Sequence, residues 1–139
     1  MDGPRNALLL QARNMALSMP EVIETSLYDG FCRHWTPAYY LGEFQLFHVH
    51  NFRAGLRATV FLEPKSAGPK GAGNKSGSAR LVPMILDSNT IPEDLRLQAA
   101  KAAESRVVKQ VKVNLDSMDD VAVLMELARL KSMSLKSCP

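Results

Sequence analysis

The chain has 139 residues, 46% of them apolar and 22% charged. That is one domain's worth of globular chain, too short for two cores and too apolar for intrinsic disorder. No run approaches the roughly 18 apolar residues of a membrane helix, so no membrane contact is expected. Lys and Arg exceed Asp and Glu by 17 to 14. The segment from Glu63 to Arg80 holds Lys65, Lys70, Lys75 and Arg80 against Glu63 alone, so the surplus sits there and the rest is neutral. A dedicated nucleic-acid binder more often spreads its cations over a whole face.

Two cysteines, Cys32 and Cys138, make no disulfide framework. The N-terminus opens with Asp2 where a secretory signal wants cations, and Gln11 and Arg13 break up its apolar run. A reducing, cytoplasmic compartment is expected.

Residues 5–19 carry Leu8, Ala12, Met15, Ala16 and Met19 at helical spacing, and Pro20 stops the helix. Residues 31–62 turn aromatic and β-branched. Gly42-Glu43 is a two-residue hairpin loop of type II′, pairing Pro37–Leu41 with Phe44–His48. After a turn at Asn51–Gly55 comes a third strand, with Leu56, Ala58, Val60 and Leu62 on one face. Phe31–Trp35 is either a further short strand or the irregular entry to the hairpin. Residues 63–80 are rich in Gly, Pro, Ser and Lys without a large apolar side chain, which predicts a flexible basic loop inside a single domain of residues 1–139.

Leu81–Leu86 is apolar with Pro83 inside, which predicts an edge strand. Thr90 and Glu93 read as a capping box for a helix reaching about Ser105. Val107–Leu115 alternates, with Val107, Val111, Val113 and Leu115 inward. Ser117, Asp119 and Asp120 open the last helix, whose apolar stripe is Val121, Leu124, Met125 and Ala128. The order predicts an α+β two-layer sandwich, an antiparallel sheet of about five strands with helices on one face.

Several short stretches carry a family resemblance. They are Ala16–Glu21 closing the first helix, Trp35 with Tyr39, Tyr40 and the Gly42 hairpin, the strand Leu56–Leu62, and Val111-Lys112-Val113 followed by Ser117–Val121. On these the chain resembles the YdhG/YjbR-like group of small α+β domains. The resemblance implies a secretion-chaperone-like sheet with helices on one side. Some members carry a predicted DNA-binding label. It brings no catalytic motif, so no catalytic residue is assigned.

Among motifs, Gly68 to Ser76 nearly spells a phosphate-binding P-loop, but Asn74 separates Gly73 from Lys75. Cys32-x-His34 and His48-x-His50 each put two donors on one side of a strand, a pattern able to converge on zinc or copper. His48 is expected on the face of Phe44 and Leu46, where the bland alternative is a hydrogen-bonded sheet margin. The acidic pairs Glu21/Glu24, Glu93/Asp94 and Asp119/Asp120 lie at or near helix starts, where capping accounts for the last two. Tyr39 and Tyr40 face opposite ways, so one should be exposed and, with Trp35 and Arg57, line a surface.

Three functional readings follow. The first is a non-enzymatic binding module for a protein or other partner, using the open sheet face or the groove beside the basic loop. The second is a weak nucleic-acid binder using Arg53, Arg57, Lys65, Lys70, Lys75 and Arg80. The third is a small-molecule binder or enzyme with a pocket between sheet and helices. No cofactor is called for.

Overall fold

The computed structural model describes residues 3–30, 32–62, 80–105 and 109–136. Helix α1 (Gly3–Ser18) leads into strands β1 (Val22–Asp29), β2 (His34–Leu41), β3 (Phe44–Phe52) and β4 (Gly55–Phe61). Helices α2 (Leu81–Asp87) and α3 (Glu93–Glu104), strand β5 (Gln110–Leu115) and helix α4 (Met118–Lys136) follow. The five strands form one antiparallel sheet in sequential order, β1-β2-β3-β4-β5. Helix α4 packs on β3, β4 and β5, α1 on β1, and α3 on β5. This is the expected α+β sandwich. No helix among the described residues is long and apolar enough to cross a membrane.

The core lies between sheet and helices. Leu56, Ala58, Val60 and Leu62 are buried with Val111, Val113 and Leu115 beside them. The predicted stripe of α4, Val121, Leu124, Met125 and Ala128, is buried against them. Gly42 takes φ 62°, the left-handed value that a type II′ turn needs at its first central position. Three groups tie α1 to the sheet edge: Arg13 pairs with Glu24 at 3.1 Å, and the Tyr39 hydroxyl donates to the same carboxylate at 2.7 Å. On the far edge, Gln98 of α3 accepts from the Lys112 N–H and donates to its carbonyl. That side chain occupies part of the edge of β5 as a neighbouring strand would.

Four expectations need correction. Leu81–Asp87 is a helix, because Pro83 falls in its first turn, where a backbone N–H has no intrahelical partner to lose. Residues 22–29, given no element from the sequence, form β1. The capping box sits at Ser117 and Asp120, not at Thr90 and Glu93. The Asp120 carboxylate accepts from the Ser117 N–H at 3.0 Å and the Ser117 hydroxyl from the Asp120 N–H at 3.4 Å. Thr90 instead donates to Glu126, and α3 begins without a side-chain cap. Finally, His48 does not share a face with Leu46. Tyr39 opposes Phe47 and Tyr40 opposes Gln45, so Leu46 is the extra residue of a β-bulge and the alternation flips there. Lys65, Lys70, Lys75, Val107 and the expected loop over 63–80, apart from Arg80, lie outside the described residues.

Candidate functional site on the open sheet face

The face of the sheet turned away from the helices is built from the alternate residues of each strand. On β3 it carries His48, His50 and Phe52; on β4, Arg57, Thr59 and Phe61; on β5, Gln110, Lys112 and Asn114. Thr36 of β2 and Asp29 at the end of β1 join them through hydrogen bonds to the imidazoles. The strand period of two accounts for the layout, since neighbours two apart reach the same side.

At the centre lie two hydrogen-bonded groups whose imidazoles meet ring to ring. His50 Nδ1 pairs with the Asp29 carboxylate, and His50 Nε2 shares a 3.0 Å hydrogen bond with the Thr59 hydroxyl. His48 Nε2 shares one of 2.6 Å with Thr36. The two imidazole centroids are 4.3 Å apart, and Phe52 stacks on His50 at 5.5 Å. Asp29, Thr36 and Thr59 are buried. Burial, with the neighbouring His50 ring, pushes His48 down to about 4, so its imidazole is neutral near pH 7.

Beside the two imidazoles is an open concavity of about 310 Å³, walled by His48, His50, Phe61, Lys112 and Arg57. Arg57 is fixed twice. Its Nε donates to Asn114 at 3.2 Å, and its guanidinium lies 5.4 Å from the Phe52 ring centroid. Among the described residues, no carboxylate lines this concavity. A second hollow of about 570 Å³ lies around the β3–β4 turn, lined by Arg5, Arg33, Arg53 and His34. There Arg5 is already engaged, donating to Asn51 Oδ1 and the Phe52 and Arg53 carbonyls.

The predicted site residues divide accordingly. His48 and His50 converge, but Cys32 and His34 stand outside the group whose donor atoms lie within 4.8 Å; Asp29 takes that place. Burial, and next the Asp29 carboxylate beside it, push the Cys32 thiol above its ordinary value. Tyr39 is not a surface residue: it is fully buried against Phe47. Tyr40 is half-buried, and its hydroxyl accepts from Gln45. Trp35 is 69% exposed and packs edge-on against Tyr28. Thr36 faces the imidazoles, so Trp35 lies on the opposite side of the sheet from Arg57, and the two line no common surface. Arg53 and Arg57 fall in different hollows, and Arg80 is exposed at the start of α2. Asp29 was missed because β1 was missed. Thr36 and Thr59 carry no sequence signal as lone threonines. No family model, curated protein or solved structure matches the chain.

Proposed function

We propose that the protein is a non-enzymatic binding module that takes a small anionic ligand with an aromatic or apolar body on the open sheet face. The observation that carries this is Arg57. It is held in place by Asn114 and Phe52, has no carboxylate partner among the described residues, and lines, with Lys112, a concavity whose described lining holds no acidic side chain, while Asp116 stands in a separate hollow beside it. A guanidinium fixed before binding loses little freedom when an anion arrives, and its planar fork fits a carboxylate or phosphate. Phe61 and the neutral His48 ring supply apolar wall. The volume is at the small end of ligand sites, so a single-ring ligand fits the space.

This reading moves the pocket of the third expectation from between the layers to the outside of the sheet. It keeps the first expectation's binding role and open sheet face, and rests on fewer cations than the nucleic-acid reading. The YdhG/YjbR-like membership and the cytoplasmic location belong to the same proposal. The experiment is a thermal-shift panel pairing aromatic phosphates and carboxylates with their neutral amide or alcohol counterparts. Stabilisation by the anions alone, lost in Arg57→Ala, supports the reading. Equal response to neutral counterparts, or to none, contradicts it. Stabilisation by oligonucleotides alone would favour the nucleic-acid reading.

A further inference from the structure

We propose that Asp29, His48 and His50 form a binding site for one divalent first-row transition metal ion. The proposal stands independently of the anion-binding reading. A carboxylate oxygen and one nitrogen from each ring lie within 4.8 Å of one another, close enough for one ion to draw them together. Two imidazoles and one carboxylate are the donor set of open metal sites, which leave one or more positions for water or a ligand.

Three further features single this cluster out from a chance meeting of polar groups. Asp29 is buried, its side chain only 3% exposed, at the end of an edge strand. A carboxylate so placed needs a strong partner. Each imidazole is also oriented through its Nε2, His48 by Thr36 and His50 by Thr59. An outer oxygen acceptor of this kind fixes the tautomer and ring angle of a metal-binding histidine. An ion between His50 Nδ1 and Asp29 would take the place of the proton the two share, with the ring proton then on Nε2 and donated to Thr59. His50 Nδ1 already meets the Asp29 carboxylate, and His48 Nδ1 has no partner among the described residues. Lastly, the two rings open onto the concavity, which gives the ion an entry path and its remaining positions an outlet. Arg57 and Lys112 belong to β4 and β5, and Asp29 to β1, so cations and carboxylate stand on opposite sides of the imidazole strand.

The test uses Zn2+ as probe on chelator-treated full-length protein, with binding read by competition against a chromophoric chelator. One equivalent should bind. Asp29→Ala and His50→Ala should weaken it by more than about 100-fold, and Thr36→Val by about 10-fold, the cost of an outer partner. Cys32→Ser and His34→Ala should leave it unchanged. The chain has only three histidines, so nitrogen-detected NMR of the wild type gives a readout that needs no variant to fold. On Zn2+ addition the His48 and His50 imidazole nitrogens should shift in a metal-coordinated pattern, His50 at Nδ1, while His34 stays still. Absence of binding, binding that survives the Asp29 and His50 changes, or a shift confined to His34 would overturn the proposal.

Discussion

Lys131 gives the sharpest stability test in the molecule. It lies on α4 at the spacing that continues Leu124 and Ala128, so its side chain is carried into the core. It is fully buried, and its side-chain nitrogen has no hydrogen-bond partner among the described residues. Burial alone drives its pKa well below the ordinary 10.5. An unsatisfied buried polar group costs about 1–3 kcal/mol. Methionine keeps most of the volume and flexibility without that cost. Lys131→Met should therefore stabilise the protein by about 1–3 kcal/mol at pH 7, read by urea denaturation. The pH dependence adds a signature. The unfolded chain holds the lysine proton up to 10.5, while the folded chain releases it earlier. Between those two values the unfolded state binds more protons, so wild-type stability rises with pH by up to about 1.4 kcal/mol per unit relative to the variant. The advantage of Lys131→Met should shrink toward pH 10.5. A variant that is less stable, or a gap that is the same at pH 7 and pH 10, would refute the buried, unpaired placement.

Leu124 is fully buried under the sheet, and Leu124→Ala should lower stability by about 2–5 kcal/mol in the same assay. Ser117→Ala should cost about 1 kcal/mol as loss of a helix cap, whereas Thr90→Ala, which removes only an exposed hydrogen bond to Glu126 that water can replace, should cost less, about 0.5 kcal/mol. The reverse ranking in thermal melts would mean that α3, not α4, carries the capping box.

What could be read from the sequence followed the strength of the local pattern. The alternation of Leu56, Ala58, Val60 and Leu62, and the helical spacing of Val121, Leu124 and Ala128, survive because one face of each element meets the core. Strand β1 lacks that alternation. It is an edge strand whose interior, Ile23 to Ser26, is exposed, so no burial period marks it. Leu81–Asp87 failed for the opposite reason: a short apolar run reads alike as helix or strand, and Pro83 argues for an edge until its place in a first turn is known. The bulge at Leu46 was invisible because it reverses parity without a glycine to announce it. At the site, His48 and His50 were legible as an i, i+2 pair. Asp29, 21 residues from His50 and two strands away, reaches it only through the sheet's pairing. The prepositioning of Arg57 depends likewise on Asn114, 57 residues on, which β4–β5 pairing sets opposite it.

The most direct test of the anion-binding account is a calorimetric titration of phenyl phosphate, with phenol as its neutral counterpart, into wild-type protein and Arg57→Ala. A hydrogen bond to a charged group is worth about 1.5–3 kcal/mol, and each 1.4 kcal/mol is about tenfold in affinity. The account predicts one site for phenyl phosphate, none for phenol, and a weakening of about 10- to 100-fold in the variant, with its melting temperature unchanged. Phenyl phosphate that fails to bind, or that binds wild type and Arg57→Ala equally, would contradict it.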